Sequence, residues 1–139
     1  MSEDASGNDS FGYGKDDPEK NFQSTSSAEE LGDMHLSTEN YSVALEYYTR
    51  VLQENVKNDP SSNVRVYRKI SDCYRRKGML SEAMAFLEDA ELHRKEDDLI
   101  SMGILLCRRG IIYYEQNEIN KALKNAWKAY RILRISDEH

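Results

Sequence analysis

The chain has 139 residues, enough for one domain, and a formal net charge of −6. Its two cysteines lack CxxC spacing and its three histidines are scattered, so packing thiols in a reducing compartment are expected rather than a disulfide or metal site. No apolar run reaches the length of a membrane span, no secretory signal opens the chain, and no phosphate loop or serine elbow occurs; a cytoplasmic, non-enzymatic protein without cofactors is expected, with no membrane association.

Residues 1–26 come first and differ in composition from the rest. They contain Gly7, Gly12, Gly14 and Pro18 among many Ser and Asp residues, with only Phe11, Tyr13 and Phe22 as sizeable apolar groups. Such a segment buries too little surface to offset its ordering entropy, and a disordered acidic tail is expected. Residues 1–60 carry four Lys and Arg against thirteen Asp and Glu, while residues 61–139 carry fifteen against twelve. Asp16, Asp17 and Glu19 beside the aromatics make the tail a candidate occupant of any basic, apolar groove.

From residue 27 onward, apolar side chains recur at helical spacing and predict helices over 27–37, 41–56, 62–77, 81–96, 98–116 and 119–135. Thr38 to Asn40, Lys77-Gly78 and Gln116-Asn117 fall at turns, where Gly and Asn tolerate left-handed backbone, and Asp59-Pro60 separates the first two helix pairs. Ala44, Ala83 and Ala122 recur at intervals of 39 residues, each preceded at a fixed distance by a small residue, Gly32, Ser71 or Gly110. Small residues in register let two antiparallel helices cross closely. Leu31, Ile70, Tyr74, Tyr113, Tyr48 and Leu87 fill the wider space around the crossing. Three units follow, at about 25–63, 64–102 and 103–139.

Leu31-Gly32, Tyr41, Ala44 and Tyr48, then Tyr67, Ile70-Ser71, Tyr74, Ala83, Leu87 and Ala90, then Gly110, Tyr113, Ala122 and Ala129, resemble the tetratricopeptide repeat (TPR). Units of 39 rather than about 34 residues are similar to the lengthened repeats of kinesin light chains and of sensor arms in bacterial signalling proteins. The resemblance implies an all-α fold, a right-handed α-solenoid of three hairpins, part of a longer array. In the third unit Arg109 stands where Leu is expected and Ala126 where Phe is expected, with Trp127 next door as the expected substitute bulk. His35 occupies the column of Tyr74 and Tyr113 and is expected to pack as an aromatic.

The resemblance also implies a groove lined by the first helix of each unit. Its inward positions are Glu29, Asp33 and Leu36; Arg65, Arg68, Asp72, Arg75 and Arg76; then Ile104, Cys107, Ile111 and Tyr114. Arginines that fork onto carboxylates, beside an apolar patch, suit a peptide or protein segment carrying acidic and apolar groups. Glu29 and Asp33 stand where chaperone-binding TPR domains carry Lys and Asn, so that function is not assigned. The basic stripe Lys121, Lys124, Lys128, Arg131 and Arg134 has the spacing of a phosphate-binding face and equally of a solvated one; nucleic acid ranks well below protein as a partner. The expected function is a protein-interaction scaffold or adaptor, with a sensory or regulatory arm of a larger signalling or transcription-control protein as the alternative. Further repeats, a partner, a second copy or the tail is expected to cover the last hairpin.

Overall fold

A computed structural model describes residues 25–137; the expected tail, apart from Thr25 and Ser26, lies outside the described residues. Six α-helices are described: α1 (Thr25–Ser37), α2 (Tyr41–Glu54), α3 (Val64–Arg76), α4 (Leu80–His93), α5 (Leu99–Glu115) and α6 (Ile119–Asp137), with a 3-10 turn at Pro60–Asn63 before α3. The fold is all-α, with no strand among the described residues. Consecutive helices form three hairpins, α1–α2, α3–α4 and α5–α6, which pack side by side in chain order. No helix among the described residues is long and apolar enough to cross a membrane.

The three hairpin turns are built alike. Two residues past the end of the first helix of each pair stands a residue with left-handed backbone, Glu39 (φ 66°), Gly78 (φ 83°) or Asn117 (φ 64°), again 39 residues apart. One residue later the amide reaches back to the carbonyl five residues before it: Asn40 to His35, Met79 to Tyr74 and Glu118 to Tyr113, each at 2.8 Å. This closure satisfies carbonyls that a helix end otherwise leaves bare. In the first turn Glu39, and not the neighbouring Asn40, takes the left-handed position.

Between hairpins the ends are tied by side chains. Buried Asn55 stops α2 two residues before the expected end, its amide donating to Asn63 Oδ1 at 2.9 Å while Asn58 donates to its own Oδ1 at 3.0 Å. The fourth helix stops at His93 rather than 96 because Arg94 is extended and its guanidinium donates to the Lys95 and Glu96 carbonyls at 2.9 and 3.2 Å. Asp98 caps α5, accepting from the Ser101 amide at 3.1 Å and hydroxyl at 2.6 Å.

Two apolar clusters hold the hairpins together. Ala44, Tyr48 and Val51 of the first hairpin enclose Val66, Ile70 and Cys73 of α3, and Ala83, Leu87 and Ala90 of the second enclose Leu105 and Ile112 of α5. The first helices α3 and α5 therefore each insert two residues seven apart, Val66 with Cys73 and Leu105 with Ile112, into the hairpin before them. The small-residue crossings occur as expected. Gly32 lies under the Tyr48 ring, where an added Cβ would come within 2.5 Å, the Ser71 hydroxyl donates to the Ala83 carbonyl at 2.7 Å, and Gly110 lies beside the Ala122 carbonyl. His35 stacks on Tyr47 with ring centres 5.5 Å apart.

A side chain with a Cβ is disfavoured at positive φ, so the first turn stores strain that the second avoids. Glu39→Gly is expected to raise stability by about 0.5–1 kcal/mol, and Gly78→Ala to lower it by about 1 kcal/mol or more, in urea unfolding.

Candidate functional site

Most of the charged residues predicted to line the groove are held in ion pairs with a neighbouring first helix. Glu29 on α1 accepts from Arg65 through two hydrogen bonds, 2.6 and 2.8 Å, and from Lys69 at 2.7 Å; Lys69 also reaches Asp33 at 2.9 Å. One hairpin further on, Asp72 faces Arg108 at 3.7 Å and Arg75 donates to Glu115 at 3.2 Å. The partners are 36 or 40 residues apart, one helical turn between the two choices, so each side chain on a first helix meets a single face of the next.

Glu29 is nearly out of water, and the Arg65 hydrogen bonds, opposed by burial and reinforced by Lys69, hold its carboxyl at about 2 against an ordinary 4.5. Asp33 also accepts from the Tyr48 hydroxyl at 2.6 Å; burial foremost, with Asp33 beside it, pushes that phenol well above its ordinary range and keeps it a donor. Arg68 is half-buried, and burial followed by nearby Arg108 lowers its pKa below the usual guanidinium value. It shares a small cleft with Arg65 and Ile104. Leu36 packs against the first apolar cluster, and Arg76 is exposed. The positions taken for a charged peptide groove are thus largely a ladder of ion pairs between α1, α3 and α5.

Ile111 and Tyr114 lie elsewhere, together with Cys107, in a hollow of about 1050 Å³ between α5 and α6. Cys107 is exposed there instead of packed, whereas Cys73 is buried and its thiol is pushed up to about 11 by that burial. The opposite wall is a row at alternating spacings of four and three, Ile119, Leu123, Ala126, Tyr130 and Leu133, and Gly110 and Ala122 contribute small residues. Trp127 does not supply the bulk missing at Ala126. It is 63% exposed, with its ring edge-on to Tyr130 at 5.7 Å.

The hollow occupies the repeat columns that hold the next hairpin elsewhere. Shifted back by 39 residues, Ala122, Leu123 and Ala126 become Ala83, Met84 and Leu87, the residues packed around Leu105 and Ile112 of α5. Shifted again they become Ala44, Leu45 and Tyr48, packed around Val66 and Cys73. On the first helices, Cys107, Ile111 and Tyr114 replace Arg68, Asp72 and Arg75. The receiving face thus changes from ion pairs to apolar side chains at the third hairpin. Sequence reasoning missed Lys69, Arg108 and Glu115 as ion-pair partners; opposite charges at offsets of 36 and 40 are the signal that marks them.

Among the described residues no group of His, Cys, Asp and Glu could hold a metal ion. No protein-family model matches the sequence, and no curated protein matches it significantly.

Because the Glu29 carboxyl titrates lower in the folded chain, its contribution is complete above about pH 4.5 and disappears as pH falls toward about 2. Arg65 is 58% exposed, so solvent screening trims the full linkage value. Glu29→Gln is expected to cost about 1–3 kcal/mol at neutral pH, and the gap from the native chain should close as urea unfolding is repeated at progressively lower pH. A gap that stays constant would assign the loss to packing.

Proposed function

We propose that this chain is a protein–protein interaction module of TPR-like helical hairpins, acting as a scaffold or adaptor in a reducing, cytoplasmic setting. Its third hairpin receives an amphipathic helix of a partner protein in the hollow between α5 and α6. The observation that carries this reading is the column match: the side chains lining the hollow are the counterparts of those that already grip α3 and α5. A helix is favoured as ligand because two parallel apolar rows, Cys107-Ile111-Tyr114 and Ile119-Leu123-Ala126-Tyr130, leave the gap that a third helix fills. The incoming helix would present apolar residues two turns apart, as Val66 with Cys73 and Leu105 with Ile112 do. A bulky one would sit over Gly110, Ala122 and Ala126, where small side chains leave room.

A second copy fits less well. In the first hairpin the inserting columns hold Ser27 and Met34, so head-to-tail stacking would offer a weaker apolar insert. Facing two hollows would set concave against concave and leave unfilled volume. The arginines at the centre of the ladder do not support a separate acidic-peptide groove, since Arg65 and Arg75 already hold carboxylates.

Trp127, the single tryptophan, stands beside Tyr130 at the edge of the hollow and reports on its occupation. A helical probe peptide with leucines spaced by one and two turns is expected to shift Trp127 emission to the blue and to saturate. The same peptide with those leucines changed to serine should not. Ala126→Arg, which puts a charge where the bulky residue would enter, should weaken binding by about tenfold or more with helicity unchanged, while Arg76→Ala should leave it intact. A blue shift that grows with protein concentration in the absence of peptide would favour a second copy and overturn the assignment.

A further inference from the structure

On the opposite face of α6 from the hollow lies a second cavity of about 370 Å³, between α4, α5 and α6. Its apolar wall is Met102, Leu106, Ile132 and Ile135, and three cations, Arg109, Lys128 and Arg131, meet at it. Arg109 stands in the column held by Leu31 and Ile70 in the other hairpins, so a charge replaces an apolar packing group. Its Nε is out of water and has no acceptor within hydrogen-bond reach among the described residues. The carboxylate on the cavity wall, Glu91, is already committed to Arg94, with contacts of 2.7 and 3.2 Å. Arg65, Arg75, Arg94 and Arg108 each face a carboxylate, whereas the side chains of Arg109, Lys128 and Arg131 form no ion pair or hydrogen bond among the described residues.

From these features we infer that the cavity is a binding site for a small organic acid, a carboxylate carried on an aliphatic stem. The carboxylate would accept from the Arg109 guanidinium, including the buried Nε, with Lys128 and Arg131 closing over it from the exposed side. The stem would lie along Leu106, Ile132 and Ile135. A guanidinium donates in a planar fork that matches a carboxylate, and a charged donor removed from water without an acceptor is an arrangement proteins avoid. The cavity has the size of a small-molecule site, and its mixture of apolar wall and a few converging polar groups is characteristic of one.

The test uses the whole chain and hexanoate as the probe, followed through backbone amide shifts in NMR. Hexanoate is expected to shift the amides of Met102, Leu106 and Ile132 saturably, and hexanol, the same length without the charge, to bind about tenfold more weakly or worse. Arg109→Met, which restores an apolar residue to the column, should raise the melting temperature of the unliganded chain while weakening hexanoate by about tenfold or more. Lys128→Gln with Arg131→Gln, both at exposed positions, should weaken it without changing that temperature. Hexanol binding as tightly as hexanoate, or no saturable shift at these amides, would overturn the inference, as would equal hexanoate affinity in the native chain and the Arg109→Met variant. The hexanol comparison needs no variant and decides the question even if Arg109→Met fails to fold.

Discussion

Charged side chains on one first helix meet the next at positions that lie one turn apart, 36 and 40 residues further on, and that register assigns a task to each column. A side chain on one first helix sits between residues 36 and 40 further on instead of opposite its own counterpart at 39. Ridges packing into grooves demand such an offset, since two identical rows set level would collide. Glu29 illustrates the outcome by holding Arg65 and Lys69 together, the two residues on either side of the gap. A partly buried pair of this kind adds modest net stability, because desolvation of the ions offsets much of their attraction. What it supplies is register: sliding α3 by one turn against α1 would take one of the two cations away from a carboxylate that is almost out of water.

The chemistry of these columns changes along the stack. Between α1 and α3 the contact couples an acidic helix to a basic one; between α3 and α5 it keeps one pair of each polarity, Asp72 with Arg108 and Arg75 with Glu115. At α5 the same columns hold Cys107, Ile111 and Tyr114. Charged columns accept only a neighbour bearing the complementary charge at the correct offset, whereas apolar columns accept any helix of suitable shape. The inner seams are thus specific to this chain's own helices, whereas the face of the third hairpin carries no such charge code.

Much of the fold was legible because small residues and turn residues act locally. Ala44, Ala83 and Ala122 with Gly32, Ser71 and Gly110 marked the hairpin crossings, and Gly78 and Asn117 marked left-handed turn positions. Glu39 was not legible, since nothing in a glutamate announces positive φ; the turn closes as its counterparts do, and the residue follows the backbone. The candidate groove was legible only as a set of positions. Glu29, Asp33, Arg65, Arg68, Asp72 and Arg75 do lie along the first helices, but charges aligned by a period of 39 read as an open surface, while their actual partners are found at 36 and 40. Trp127 misled for a similar reason: next in sequence to Ala126, it is a hundred degrees away around the helix and projects outward.

Two apolar packing columns of the repeat lose their large apolar residue in the third hairpin. Where Tyr48 and Leu87 fill the crossing, Ala126 leaves it open, and where Leu31 and Ile70 pack, Arg109 brings a charge. Neither change is forced by the backbone, because the first two hairpins accommodate the larger or apolar residue in the same geometry. Each works against the stability of the hairpin that carries it, by losing contacts at Ala126 and by placing at Arg109 a buried donor without a partner among the described residues. They also open on opposite faces of α6, so one cannot compensate the other. Departures that cost stability while their neighbours keep the rule gather where a surface meets something outside the fold. A long α6 of 19 residues separates the two openings. That helix, packed through Ala122 and Ala129, is held firmly enough on α5 to expose an apolar row on one side and a cationic row on the other.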